Sequence, residues 1–277
     1  YIVILLIRYI KNTKNQIIVT NTFKSHLLVG FIAFFLKIKV VWRFHDILQN
    51  EYSGNKFSLV NIILLKIASI KVEIISVVSK AVKKSFIKYN FPVHKLSVIN
   101  NGLNTTQLPN VSNSRKMETI HIGWIGRFTP WKGIEEFIEI AIELINLHIG
   151  RKVQFIIAGA AIYENVEYER IVKEKVGKYT SFFHFLGHIR EIDVFYNDID
   201  ILIHTSTAPD PFPTTILEAG LRKKVVFASN LGGTSEMLID GKTGFLFDIS
   251  DYNSITTKIL DVIRNYEKYT PLREQLS

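Results

Sequence analysis

Short β-branched runs alternate with helical patterns along all 277 residues, which predicts an α/β fold of two Rossmann-like domains facing across a cleft. Two further observations place the division. Residues 103–117, "LNTTQLPNVSNSRKM", are rich in Asn, Ser and Thr, a linker composition. The charge changes sign at the same place: residues 1–116 hold 17 Lys and Arg against Asp46, Glu51 and Glu73, a net of +14, and the remainder holds 17 against 22, a net of −5. The sequence therefore predicts an N-terminal domain over 1–105, a linker over 106–117 and a C-terminal domain over 118–277.

In the first domain, strands are expected over 16–20, 39–43, 73–78 and 95–100, with helices over 27–36, 57–70 and 79–89, the last capped by Ser79. The apolar runs "YIVILLIRYI" and "LLVGFIAFFL" are each about half of the ~20 residues that a bilayer-spanning helix needs, so they read as buried helices. The first run lacks the basic start and small-residue cleavage site of a signal peptide, and the missing initiator Met suggests a chain that begins partway through a longer protein. In the second domain, strands are expected over 119–126, 152–159, 182–187, 200–206 and 224–229, with helices over 133–147, 168–176 and 214–221.

The chain has no cysteine, which removes disulfide and thiolate chemistry and makes a reducing cytosolic compartment the default. The basic first domain suits an anionic partner or a well-solvated lysine-rich surface. Nucleic acid ranks low, because no basic stretch there is interleaved with aromatics.

Two segments carry chemistry. In "GWIGRFTPWKG" a strand ends at Gly126, and Arg127 and Lys132 follow just before the next helix. Two cations beside free amides at a helix start suit a diphosphate, because the helix dipole and the N–H groups both favour anions. The pattern is not G-x-G-x-x-G, and no acid ends the next strand to hold a ribose, so a nicotinamide dinucleotide is disfavoured. In "DPFPTTILEAG" Pro213 suits the first helical turn, and the amides of Phe212, Thr214 and Thr215 are left to point outward. Asp210 lies in the loop and Glu218 one turn inside the helix, two acceptor-only groups suited to sugar or ribose hydroxyls. The "DID" at 198–200 imitates a metal motif but leads into an apolar strand, and the histidines lack H-E-x-x-H spacing, so no metal site is expected.

Taken with "FHFLGHI" and "ASNLGGTSEMLIDGKTGFLFD", these segments resemble the retaining glycosyltransferases of the GT-B fold, family 4 (glycosyl transferases group 1). The resemblance is specific over about 120–248 and looser over "VVWRFHD", "IISVVSKAVKKSFIKYNF" and "LSVINNGLN", which look like the second part of that family's acceptor domain. It implies a metal-independent hexosyltransferase without a cofactor, using a nucleoside-diphosphate sugar, with UDP-sugar the commonest guess. Arg127 and Lys132 would bind the diphosphate, with Gly126 beside them. The E-x7-E motif falls on Asp210, near the transferred sugar, and on Glu218, at the donor ribose. The turn at His188 and Ile189 would meet the nucleobase. Gly232, Gly233 and Glu236 match a further loop facing the cleft, although Glu236 equally suits a helix cap. His45 matches a histidine close to the transferred sugar, and a satisfied loop histidine is the equal alternative.

Two departures stand out: Asp replaces Glu at 210, and Pro213 replaces a glycine. The family's first βα units, with their glycine-rich acceptor loop, are absent from the N-terminal domain, which is expected to be truncated. The resemblance implies a saccharide or lipid-linked acceptor in bacterial polysaccharide or glycolipid synthesis, at the cytoplasmic side of the membrane. Lys80, Lys83, Lys84 and Lys88 would face anionic headgroups. The second reading is an inactive sugar-nucleotide-binding or partner subunit.

Overall fold

The computed structural model describes residues 2–13, 17–36, 38–48, 59–104, 118–147, 150–161 and 166–269. The chain divides into two compact units, Tyr1–Asn101 and Gly102–Ser277. Most of the polar stretch expected as a linker, 105–117, lies outside the described residues.

Unit 1 runs α1 (Ile2–Thr13), β1 (Ile17–Thr20), α2 (Phe23–Ile32), β2 (Lys39–Phe44), α3 (Leu59–Ala68), β3 (Val72–Val77), α4 (Lys80–Lys88) and β4 (Leu96–Val98). Its four strands are parallel in the order β1-β2-β3-β4. Helix starts follow local chemistry. Thr22 and Ser25 form a capping box on α2, and the Ser79 hydroxyl accepts from the Val82 amide at 3.1 Å on α4. Along β2 every second side chain is buried, which brings Trp42 and Phe44 against His26 of α2, while Phe86 of α4 meets Phe44 edge-on at 4.9 Å.

Three expectations need correcting here. The first apolar run is helical, but Val3, Ile4, Leu5 and Tyr9 are exposed and Ile10 is buried, so α1 is not a buried helix. The second helix begins four residues earlier than its apolar run, at the Thr22 cap, and ends at Ile32, leaving Phe34 and Phe35 exposed beyond it. The strand expected over 95–100 covers only Leu96–Val98, because Lys95 closes a preceding 3-10 turn whereas Asn100 sends its side-chain amide to the Val78 carbonyl at 2.9 Å.

Unit 2 runs β5 (Thr119–Ile125), α5 (Ile134–Asn146), β6 (Lys152–Ala158), α6 (Val166–Lys175), β7 (Phe183–Gly187), α7 (Ile192–Asp198), β8 (Ile201–His204), α8 (Thr214–Leu221), β9 (Val225–Ser229), β10 (Phe245–Phe247) and α9 (Tyr252–Arg264). All six strands are parallel, in the order β10-β9-β8-β5-β6-β7. From β5 the chain moves outward through β6 and β7, then returns to β8 on the other side of β5. This reversal makes β5/β8 a topological switch point, where loops diverge at the carboxyl ends and leave a crevice. Both sheet faces are covered. One core packs α5, α6 and α9 through Phe137, Leu144, Val172 and Ile259, and the other packs α7 and α8 through Phe195, Tyr196, Ile216 and Ala219.

Candidate functional site

The crevice of unit 2 is assembled from three loops. After β5 the chain makes a 3-10 turn at Pro130–Lys132 and enters α5 through Gly133 at φ 72°. A Cβ at that position would lie 1.7 Å from the Thr205 carbonyl oxygen, so this junction requires glycine for both conformation and space. The loop after β8 is fastened to the same turn: the Thr205 hydroxyl donates to the Gly133 carbonyl at 2.5 Å, Trp124 Nε1 donates to Thr205 Oγ1 at 3.1 Å, and the Thr207 amide donates to the Trp131 carbonyl at 3.0 Å. The third loop, after β9, meets Asp210, whose carbonyl accepts from the Gly233 amide at 2.7 Å. Gly232 approaches at φ 69°, where a Cβ would sit 2.2 Å from that same oxygen.

These contacts hold a charged pair in place. Lys132 Nζ donates to Asp210 Oδ2 at 2.6 Å and lies 4.3 Å from the centre of the Trp131 ring. Asp210 is only 4% exposed. His204, at the end of β8, places Nε2 3.8 Å from Asp210 Oδ2 and 3.0 Å from Ser206 Oγ. Burial lowers the His204 pKa to about 4; the Asp210 charge opposes this and the Lys132 charge adds to it. The imidazole is neutral at pH 7, and Lys132 is the cation that faces Asp210. Arg127 is exposed and makes no ion pair among the described residues.

Helix α8 begins where expected. Pro213, however, is its N-cap, at φ −70° and ψ 100°, rather than a residue of the first turn, since its carbonyl accepts from the Ile216 amide at 3.1 Å. Thr214 and Thr215 are thus the first two helical residues, whose amides have no partner inside the helix. Phe212 is half-buried beside them. Two hydroxyls, Thr129 Oγ1 and Thr215 Oγ1, are buried without a hydrogen-bond partner among the described residues, one before the 3-10 turn that carries Lys132 and one in the first turn of α8. Glu218 accepts from the Tyr196 hydroxyl at 2.8 Å.

The remaining expected residues are placed as follows. The Gly126 amide donates to the Ala158 carbonyl at 3.1 Å, so this group extends the sheet. His188 is exposed and Ile189 packs against the α7/α8 core, just past β7 and Gly187. Gly233 precedes a 3-10 turn, Thr234–Glu236, and the Glu236 amide donates to the Gly233 carbonyl at 3.1 Å. His45 belongs to unit 1, at the end of β2. Burial first, and then the Arg43 charge, lower its pKa, while Asp46 opposes them. Asp198 and Asp200 lie at the opposite end of the sheet from the crevice: Asp200 accepts from the His121 amide at 2.8 Å, and Asp198 Oδ1 lies 3.1 Å from His121 Nδ1.

The sequence alone assigns no role at the site to His204, Ser206 or Tyr196. The end of β8 beside a switch point was the available signal for His204. Tyr196 has none, because its partner Glu218 lies 22 residues further along the chain and on another helix.

The Lys132–Asp210 pair and the start of α8 thus follow the carboxyl ends of β5 and β8, at the switch point of a doubly wound sheet, where such folds bind their ligands. The chain's relatives identify the family. The profile of Glycosyl transferases group 1 matches residues 107–276, and that of Glycosyltransferase Family 4 matches residues 2–107; the chain belongs to this glycosyltransferase family. An uncharacterized glycosyltransferase of Methanocaldococcus jannaschii is 27% identical over 267 residues, 90% of this chain and 66% of that protein. The capsular polysaccharide biosynthesis glycosyltransferase CapM of Staphylococcus aureus is 23% identical over 255 residues, 86% of this chain and 65% of its own. The chain thus spans about two thirds of the length of these two relatives. Among solved structures, Anabaena HepE in complex with UDP superposes with a TM-score of 0.87 at 24% identity, covering 99% of this chain and 75% of that one. A sucrose-phosphate synthase from Thermosynechococcus elongatus gives 0.82 at 18%, covering 99% and 71%. This likeness shows the GT-B fold.

Proposed function

We propose that the chain transfers a sugar from a nucleoside-diphosphate sugar to a saccharide or lipid-linked acceptor in the synthesis of bacterial envelope or extracellular polysaccharide, with retention of anomeric configuration. The observation that carries this reading is the Lys132–Asp210 pair, 2.6 Å apart at the mouth of the β5/β8 crevice, with the start of α8 beside it. UDP is favoured as the nucleotide because HepE, similar over nearly the whole chain, has been solved with UDP and with UDP-glucose. The polysaccharide role is favoured by the named function of CapM.

Breaking the donor's glycosidic bond leaves positive charge on the sugar and negative charge on the departing diphosphate. The chain's own groups can meet the second charge without a metal or other cofactor: Lys132, exposed Arg127, and the free amides of Thr214 and Thr215 at the positive end of α8. Asp210 stands beside Lys132, where a carboxylate can hold a sugar hydroxyl. Glu218 serves the ribose, and the turn at His188 and Ile189 serves the base. One observation favours the second reading, donor binding without transfer: Asp210 is one methylene shorter than glutamate and is already engaged by Lys132.

A panel of UDP-, GDP- and ADP-sugars, incubated without added metal, separates the two. Release of nucleoside diphosphate from one donor is the expected result; binding without release supports the second reading, and neither binding nor release rejects both.

The acceptor side of this proposal is a membrane surface at the cytoplasmic face. No helix among the described residues is long and apolar enough to cross a membrane. Lys80, Lys84 and Lys88 are exposed on α4 and Lys83 is half-exposed, each worth about 1 kcal/mol against anionic lipid. Flotation with liposomes is expected to increase with phosphatidylserine content and fall with salt; recovery independent of anionic lipid would refute the surface contact.

A further inference from the structure

Glu218 is held by a buried network that none of the roles above uses. Tyr196 of α7 is fully buried, and its hydroxyl lies 2.8 Å from Glu218 Oε2 and 3.2 Å from the Thr215 carbonyl. The phenol has one proton, and the shorter contact to a carboxylate is the stronger use of it. Glu218 Oε1 then has no partner among the described residues. Arg222, the C-cap of α8 and 6% exposed, lies 5.0 Å from the centre of the Tyr196 ring, donates through Nη1 to the Glu218 carbonyl at 3.0 Å, and is anchored through Nε by Asp193 Oδ1 at 2.7 Å. Asp193 and Tyr196 are three residues apart on α7, and Arg222, the C-cap of α8, follows Glu218 by four residues, so each pair lies on one side of its helix and the two sides meet.

We infer that Tyr196 is a positioning residue that fixes Glu218 through Oε2 and thereby presents Oε1 to the donor's ribose hydroxyls, with Arg222 and Asp193 holding the tyrosine in place. This rests on the reading of Glu218 as the ribose ligand. A free glutamate on a helix samples several rotamers, whereas one with a carboxylate oxygen tied down loses less freedom when it binds and aims its other oxygen in a fixed direction. Burial and the nearby Glu218 charge push the Tyr196 hydroxyl well above its usual range, so it remains a donor throughout the physiological pH range. The signature of this arrangement is selectivity between ribose and deoxyribose, which a merely structural tyrosine would not control.

The test compares affinity for UDP with that for 2′,3′-dideoxy-UDP in the wild-type chain and in Tyr196→Phe, Arg222→Lys and Glu218→Ala, each also followed by thermal melting. Tyr196→Phe keeps the ring in its packed site and is expected to reduce the preference for UDP about tenfold, the value of one hydrogen bond. Arg222→Lys is expected to reduce it less, and it keeps the test open if Tyr196→Phe melts below the assay temperature. An unchanged preference in folded Tyr196→Phe, with a loss in Glu218→Ala, would overturn the role of Tyr196 and leave Glu218 at the ribose. An unchanged preference in Glu218→Ala would overturn both.

Discussion

Lys132→Ala is expected to lower kcat about 10³-fold, roughly 4 kcal/mol of transition-state stabilisation, with a smaller effect on donor affinity. The reason is where charge develops. In the ground state the diphosphate is already anionic and shared among Lys132, Arg127 and the α8 amides, but the additional charge of bond breaking falls on the leaving oxygen. The variant has a second consequence, because it strips Asp210 of its cation while leaving it 4% exposed beside a neutral imidazole. A fully buried pair broken in this way costs 3–5 kcal/mol; with Lys132 still 20% exposed, about 2 kcal/mol is expected. The double variant Lys132→Ala/Asp210→Asn separates the two effects. It should recover most of the stability, because no charge is left unpaired, but none of the turnover. Steady-state kinetics and denaturant melts on the single and double variants check this; recovery of turnover in the double variant would show that Lys132 acts only as a structural partner of Asp210.

Acid should destabilise both units between pH 6.5 and 4. His26 is buried in unit 1, with Nδ1 2.6 Å from Thr20 Oγ1 and its ring stacked 4.8 Å from Phe44; burial, then the His45 charge, lowers its pKa to about 4. His204 in unit 2 is lowered to about 4 chiefly by burial. For both, the folded value lies below the unfolded value of 6.5, so the unfolded chain takes up the proton first as pH falls. The stabilisation is complete above pH 6.5, declines below it, and is lost by about pH 4. A depression of this size corresponds to about 3 kcal/mol for each histidine. Carboxylates titrate in the same window, so the check is differential: His26→Gln and His204→Gln should each flatten the dependence of stability on pH from 6.5 to 4. A slope equal to wild type in both variants would show that neither imidazole is held neutral.

How much of this could be read from the sequence depended on whether the signal was local. Helix α8 at 214–221 and the Ser79 cap on α4 are legible because proline, serine and apolar spacing act within one turn. Gly133 was legible as a boundary, but its necessity was not, since the oxygen it must avoid belongs to Thr205, on the far side of the switch point. The sequence points to both Lys132 and Asp210, but as partners of different parts of a donor. Their direct contact spans 78 residues and depends on β8 returning to lie beside β5, which no local pattern specifies. The same holds for Tyr196 and Glu218, joined only because α7 and α8 cover the same sheet face. Helix α7 has seven residues and strand β10 three, too short for periodicity to register. The first apolar run shows the opposite limit: its composition predicted burial, yet α1 leaves most of that surface exposed.

The central claim is that the β5/β8 crevice binds a nucleoside diphosphate through Lys132. The most direct measurement is a crystal structure of the chain with a UDP-sugar bound. The prediction is that the diphosphate lies over the start of α8, with Lys132 Nζ turned from Asp210 to a phosphate oxygen and the Asp210 carboxylate facing the sugar. An intact Lys132–Asp210 pair with the nucleotide bound elsewhere would contradict it.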